Sequence, residues 1–182
     1  MRRKYIIQVL VVSLIIGLGG YTYLGGWRSV ALEKVTLQEP YTLVGIPFKG
    51  KYDDDQLERN FRLMKGYLEK GQLKGSLAVL YFQHPEEHEG EVDQMMGVLY
   101  TPATMPDSLP AEVTVRELPA KEYVRATLTA HVSVMHSPAR VREKIFAFAQ
   151  EQNLVLDSIS IEKIITDWHL EVEMPVAESS FR

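Results

Sequence analysis

A short segment occurs twice in the chain, as VTLQEP at residues 35–40 and as VTVRELP at residues 113–119. The second copy has one additional residue before the proline. Each copy opens a stretch in which apolar and polar side chains alternate, over residues 41–48 and 123–134, and such alternation is typical of half-buried strands. The repetition predicts two copies of one structural module.

A segment with helical periodicity follows each alternating stretch. Its apolar residues recur every three or four positions, which places them on one face of a helix. They are Leu57, Phe61, Met64 and Leu68 in the first copy and Val141, Ile145, Phe148 and Ala149 in the second. Three aspartates precede the first helix and Ser137-Pro138 precedes the second, and both favour a helix N-terminus.

Two further strands end each copy, at residues 77–82 and 92–100 and again at residues 158–165 and 169–176. The sequence therefore predicts an α+β fold. It is a duplicated β-α-β-β module with pseudo-two-fold symmetry, built from antiparallel sheets with both helices on one side.

The proline-containing stretch at residues 101–110 is the natural joint between the copies. Copies of roughly 70 residues are marginal alone, which favours one domain formed by both. The predicted boundaries are residues 28–177 for this domain, 33–101 and 111–177 for its repeats, and 178–182 for a short tail.

The N-terminal segment is uncharged from residue 5 to residue 27. As a helix with a rise of ~1.5 Å per residue it would cover roughly 35 Å, and a bilayer core is about 30 Å thick. We therefore expect residues 1–27 to be a basic segment followed by a single transmembrane helix, with residues 5–27 in the membrane. A cleaved signal peptide is the alternative.

The charge distribution bears on topology and on partners. Arg2, Arg3 and Lys4 precede the apolar run, so the positive-inside rule predicts a single-pass membrane protein whose domain is extracytoplasmic, in a periplasm or outside the cell. These are three of the 20 basic residues, and all 24 acidic residues follow Trp27, which leaves 17 basic against 24 acidic and a net charge of −7. Such an acidic body is a poor candidate for nucleic-acid binding.

Three strings of the domain carry a family resemblance. They are VTVRELP at residues 113–119, EVEMPV at residues 171–176, and LYFQHP at residues 80–85 followed by Gly97-Val98. Together and in this order they resemble GyrI-like domains, the duplicated fold also seen as the effector-binding domain of BmrR-type multidrug regulators. The resemblance covers residues 33–177 and, with the predicted anchor, is closest to membrane-anchored members.

The resemblance implies a concave, largely aromatic pocket between the two halves that binds hydrophobic and often cationic small molecules. It also implies a buried pocket glutamate in the penultimate strand, and Glu162 occupies that position. Alternation in residues 158–165 places Ile159 and Ile161 on one face and Ser160 and Glu162 on the other. If the isoleucines pack under the helices, Glu162 faces the groove.

Four aromatic residues complete the expected ligand-binding set with Glu162. Family members usually carry a ring two positions after the glutamate, where this chain has Ile164, and Trp168 is expected to supply it. Tyr123, Tyr81 and Tyr100 are the others. A simple packing role is the alternative for Trp168 and for Tyr81 and Tyr100.

The function is predicted as membrane-anchored binding of a hydrophobic, in some cases cationic, small molecule. Some relatives hydrolyse strained cyclopropane-containing compounds with a pocket acid, so a hydrolase of reactive xenobiotics that uses Glu162 is an alternative. A protein-interaction module with an unknown partner is another. Glu162 could instead face solvent, or pair with Lys163 or Arg125.

The string HPEEH at residues 84–88 matches the HxxEH pattern of some zinc proteases. That chemistry requires both histidines on one helical face, and Pro85 lies between two predicted strands. We interpret the string as a solvated hairpin loop and expect no metal and no cofactor. A transcriptional role is disfavoured because no helix-turn-helix segment accompanies the domain.

Overall fold

A computed structural model describes residues 2–177 of the chain, so the predicted tail at 178–182 lies outside the described residues. It consists of helices and strands in an α+β arrangement. The helices are α1 (Arg2–Tyr23), α2 (Asp55–Glu69) and α3 (Pro138–Glu151). The strands are β1 (Ala31–Thr36), β2 (Tyr41–Lys51), β3 (Leu77–Gln83), β4 (Glu91–Tyr100), β5 (Thr114–Leu118), β6 (Glu122–Leu128), β7 (Ser160–Thr166) and β8 (His169–Pro175).

All eight strands belong to one antiparallel sheet with the order β1-β6-β8-β7-β3-β4-β2-β5. The prediction of separate sheets is therefore wrong. The two central strands, β7 and β3, pair with each other and join the two halves of the chain. Hydrogen bonding across this pair makes the halves continuous.

The two halves exchange their first strands. Strand β1 pairs with β6 of the second half, and β5 pairs with β2 of the first half. The repeated segment at residues 35–40 overlaps the end of β1, and the one at residues 113–119 contains β5, so the two copies begin with equivalent strands. Each copy thus has two strands before its helix, not the single strand of the predicted β-α-β-β order.

Helix α2 begins with a side-chain cap and packs by one face. The Asp54 carboxylate accepts a hydrogen bond from the Gln56 N–H at 2.7 Å, which satisfies a free donor of the first turn. Its buried residues are Asn60, Met64 and Tyr67. Phe61, which the periodicity assigned to the apolar stripe, is instead 38% exposed.

Helices α2 and α3 lie on the same face of the sheet. Residues directly paired across neighbouring strands share a face. Val172 packs with α3, and it pairs with Glu162, which pairs with Val79. Val79 pairs with Met96, which packs with α2. This row of paired residues therefore runs from beneath one helix to beneath the other.

The opposite face of the sheet contains a second apolar cluster and a buried ionic network. Ile161 lies in this cluster and not under the helices. Glu173 is fully buried there, and its Oε1 accepts hydrogen bonds from Lys163 Nζ and Arg125 Nε, each at 2.6 Å. Lys163 and Arg125 therefore pair with Glu173 and not with Glu162.

Helix α1 leads into the domain through its last turn and the residues that follow. The carbonyl of Leu24 accepts a hydrogen bond from the His131 N–H at 2.9 Å. The Tyr21 and Trp27 rings meet edge to face, with their centroids 5.0 Å apart. Apolar side chains farther up the helix, such as Ile16, are mostly exposed.

The prediction of a transmembrane helix at the N-terminus is corrected by the structure. Among residues 2–177, no helix is long and apolar enough to cross a membrane. The prediction rested on an uncharged length of sequence, whereas α1 mixes its apolar residues with Gln8, Ser13 and three glycines. The finding overturns the anchor at residues 5–27 and the localisation as a single-pass membrane protein with an extracytoplasmic domain.

Candidate functional site

A cleft lies between α2 and α3, above the two central strands. Helix α2 packs over β2 and β4, and α3 over β6 and β8, so β3 and β7 form the floor between them. This cleft contains a cavity of about 320 Å³, whose lining includes Glu162, Tyr81, Tyr52, His84, Arg142 and Pro138. We call it the Glu162 cavity. Both halves of the chain contribute to it.

Glu162 is the buried acid of this cavity. Its side chain points to the helix face because it pairs directly with Val79, and the residue is 9% exposed. Its Oε1 atom has no hydrogen-bond partner among the described residues. A buried carboxylate without a donor is costly to ionise. Burial accordingly raises the pKa of Glu162 to about 7, with nearby Arg142 opposing the rise and Glu86 adding to it.

Arg142 places a buried cation on the wall of the cavity. It lies in the first turns of α3 and is 4% exposed. Its Nη2 atom lies 3.1 Å from Glu86 Oε2 and 3.7 Å from Glu87 Oε1. The ion pair joins the β3–β4 hairpin of the first half to the helix of the second half. Because two carboxylates already face this guanidinium, Glu162 is left without a dedicated counter-charge.

His84 is buried beside Glu162, whereas residues 86–88 of the same β3–β4 hairpin loop are exposed, as expected for a solvated hairpin loop. It is 3% exposed, and its Nε2 lies 3.1 Å from the Oγ of the fully buried Ser160. The imidazole stacks on the Tyr81 ring with a centroid distance of 4.9 Å. Burial lowers the pKa of His84 to about 4, so the ring is neutral near pH 7. Within residues 2–177, no group of three or more His, Asp or Glu side chains could hold a metal ion.

Two of the five expected ligand-binding residues meet in this cavity, Glu162 and Tyr81. Tyr123 is fully buried on the opposite face of the sheet, where its ring centroid lies 5.6 Å from that of Tyr41. Tyr100 packs with Met64 and Tyr67 in the apolar cluster beneath α2, which we call the α2 cluster, and its hydroxyl accepts a hydrogen bond from the Lys74 N–H at 3.0 Å.

Trp168 lies at the turn between β7 and β8, away from the Glu162 cavity. Its ring meets that of His131 at a centroid distance of 5.0 Å and that of Tyr23 at 6.3 Å, both edge to face. These contacts place it at the junction between α1 and the domain.

Among the residues that line the cavity, the sequence did not predict Arg142, His84 and Tyr52 as site residues. Arg142 lies three positions before Ile145, so it falls on the predicted apolar stripe of α3, and a charge at such a position is a usable signal for a buried ionic group. His84 belongs to the HxxEH pattern, which points to a metal site and not to a binding cavity. Tyr52 follows the last residue of β2, and nothing in its local pattern indicated that it reaches the cleft.

The comparisons with known proteins support the fold. No protein-family profile matches the sequence, and no curated protein matches it either. Among solved structures, an uncharacterised conserved protein from Listeria innocua aligns with a TM-score of 0.55 at 12% identity, over 80% of this chain and 92% of that one. A hydrolase from the same organism aligns with a TM-score of 0.53 at 11% identity, over 80% and 91%.

EcmrR in complex with DNA is a third similar structure, with a TM-score of 0.54 at 12% identity, over 96% of this chain and 70% of EcmrR. Likeness at these identities establishes a shared fold and says nothing about activity. The chain is therefore similar in architecture to a hydrolase and to a DNA-bound protein.

Proposed function

We propose that the protein binds an apolar small molecule carrying a positive charge in the Glu162 cavity. One observation supports this proposal above the others: a nearly buried carboxylate, with one oxygen lacking a donor, lies in the floor of a cavity between two helices. The resemblance to GyrI-like domains is in keeping with such a ligand.

The charges around the cavity favour a cation over an anion. Arg142 faces Glu86 and Glu87 in addition to Glu162, so the carboxylates outnumber the guanidinium. The rings of Tyr81, Tyr52 and Pro138 give the remaining wall an apolar character. A bound cation would replace the missing partner of Glu162, and its charge would favour the ionised carboxylate.

Two probes of nearly equal size and opposite charge test this proposal, tetraphenylphosphonium and tetraphenylborate. Calorimetry on the full chain should show binding of the phosphonium in preference to the borate. Because the pKa of Glu162 is about 7, phosphonium affinity should fall about tenfold between pH 8 and pH 6. The Glu162→Gln variant should bind more weakly, with no such pH dependence.

The matched control is Glu143→Gln, which removes an exposed carboxylate from the same helix that carries Arg142. It should leave both the affinity and its pH dependence unchanged. Equal binding of the two probes by the wild type, or an unaltered pH profile in Glu162→Gln, would refute the proposal.

Hydrolysis is a second candidate because a carboxyl group with a pKa of about 7 is suited to general acid or base catalysis near neutral pH. One structural neighbour is a hydrolase, although its likeness concerns the fold alone. Hydrolysis of strained or activated substrates by the wild type that disappears in Glu162→Gln would favour an enzyme. In the control variant Glu143→Gln, both the hydrolysis rate and the affinity for the phosphonium should stay at wild-type values.

A further inference from the structure

A second cavity of about 340 Å³ adjoins the Glu162 cavity on the side of α2. The two cavities share Tyr52 and Tyr81, so these rings lie between them and line both. The far wall of the second cavity is formed by the acidic segment at the start of α2, including Asp53 and Asp55. We call this space the Gln94 cavity, after the residue in its floor.

Gln94 supplies a buried acceptor without a partner. It pairs with Tyr81 across β4 and β3, so its side chain lies on the helix face of the sheet, and it is 3% exposed. Its Oε1 atom forms no hydrogen bond with any described residue. Buried amide oxygens nearly always have a donor, so an empty acceptor in the wall of a cavity indicates a donor supplied by something that enters it.

The acidic wall specifies the charge of that donor. Among the described residues, Asp53 and Asp55 take part in no ion pair, whereas Asp54 accepts the Gln56 N–H as helix cap. Glu58 on the same wall pairs with Arg62. The two unpaired carboxylates and the Gln94 oxygen are hydrogen-bond acceptors, which suits an ammonium group with several N–H donors.

The register gives the separation of the two acidic poles. Gln94 pairs with Tyr81, and Glu162 pairs with Val79, so the two residues lie two strands apart and are offset by two positions along the sheet. At about 4.8 Å between strands and about 3.3 Å per residue, their Cα atoms are about 12 Å apart. Tyr81 and Tyr52 occupy the interval.

We propose that the Gln94 cavity is a second cation subsite and that the ligand is an elongated dication. One of its ammonium ends lies at Glu162, its apolar spacer lies over Tyr81 and Tyr52, and its other end is held by Gln94 Oε1 with Asp53 and Asp55. The inference rests on the proposed function for its first pole. It adds a length requirement and a second charge, which a single-cation pocket does not have.

Linear alkylamines test this proposal on the full chain. An extended eight-carbon chain spans a distance comparable with that between the poles, so 1,8-diaminooctane should bind about tenfold more tightly than n-octylamine. The preference should be smaller for 1,4-diaminobutane over n-butylamine, because the shorter diamine cannot reach both poles.

Variants locate the second pole. The test quantity is the ratio of the affinity for 1,8-diaminooctane to the affinity for n-octylamine. Gln94→Met, which keeps the side-chain volume and removes the acceptor, should bring this ratio close to one while n-octylamine binding is retained. The double variant Asp53→Asn with Asp55→Asn changes only exposed side chains and should lower the ratio without affecting folding. Asp107→Asn, an exposed aspartate of the 101–110 segment, is the charge-matched control and should leave the ratio unchanged.

The outcomes separate the two proposals. Equal affinities of 1,8-diaminooctane and n-octylamine in the wild type would overturn the second subsite, and so would a diamine advantage that persists in both variants. If tetraphenylphosphonium still bound in a Glu162-dependent manner, the proposed function would stand in either case. Loss of Glu162 dependence for all of these cations would overturn both.

Discussion

Glu162 connects the local chemistry to the proposed function. Its position on a central strand places it between the two helices, and its burial raises its pKa to about 7. A group with this pKa is partly protonated at neutral pH and changes charge readily when a ligand arrives. The same property affects stability, because the unfolded chain has an ordinary carboxyl pKa.

Glu162 should make the wild type less stable as the pH rises. The folded pKa is raised above the unfolded value of 4.5, so the folded state holds the proton more tightly, and stability falls between about pH 4.5 and pH 7 before levelling off. Relative to Glu162→Gln, the wild type should lose about 2–3 kcal/mol across this range. Chemical denaturation at pH 5 and pH 8 measures the difference.

Comparing the stability of the wild type with that of Glu162→Gln separates the pH dependence caused by Glu162 from that caused by His84. Burial lowers the pKa of His84 to about 4, so its contribution is present above pH 6.5 and is lost as the pH falls, which is the opposite direction. Both proteins contain His84, so its effect cancels in the difference. A difference that does not change with pH would show that Glu162 ionises normally.

At the scale of elements, helix α2 shows where the periodicity of the sequence is informative and where it is not. The spacing of Leu57, Phe61, Met64 and Leu68 correctly located a helix. The buried face is centred on Asn60, Met64 and Tyr67, so it is rotated from the predicted stripe. Burial of the polar Asn60, whose side chain bonds to Gln56 at 2.7 Å, is the reason that hydropathy alone could not fix this face.

Truncation of Met64 and of Phe61 to alanine should distinguish the buried face of α2 from its exposed face. Met64→Ala removes a fully buried side chain from the α2 cluster and should lower the free energy of unfolding by about 2–5 kcal/mol. Phe61→Ala should lower it by less than about 1 kcal/mol, because the ring is 38% exposed. Urea denaturation of both variants measures this, and equal losses would contradict the assigned face.

The strands show a similar division between local and long-range information. Alternation in residues 158–165 placed Glu162 and Ile161 on opposite faces, and the structure has them so. One strand alone does not show which face of the sheet meets the helices, because that depends on the side of the sheet on which α2 and α3 pack. Tyr123 lies on the opposite face of the sheet, and Tyr100 lies on the helix face but in the α2 cluster, so long-range packing places both of these expected ligand-binding residues away from Glu162.

At the scale of the whole molecule, the exchange of β1 and β5 ties the two halves together. The repeated segment indicated duplication but not the pairing partner of its first strand, because pairing between distant strands leaves no local pattern. The cleft also depends on pairing between the two halves, because its floor is the β3–β7 pair that joins them.

Neither half should therefore fold alone. Residues 2–101 lack the partner of β1, and residues 111–177 lack the partner of β5, so each would expose an unpaired edge and an apolar surface. NMR spectra of the separate halves should show poor dispersion, and mixing the halves should restore the dispersed spectrum of the intact chain. A well-dispersed spectrum from either half by itself would contradict the exchange.

The number of protons released when tetraphenylphosphonium binds at pH 7 tests whether the cation meets the carboxylate of Glu162. Calorimetry in two buffers with different ionisation enthalpies gives the number released. With the pKa of Glu162 at about 7, the wild type should release about half a proton per bound cation, and Glu162→Gln should release none. Binding without proton release in the wild type would show that the cation does not meet the buried carboxylate of Glu162.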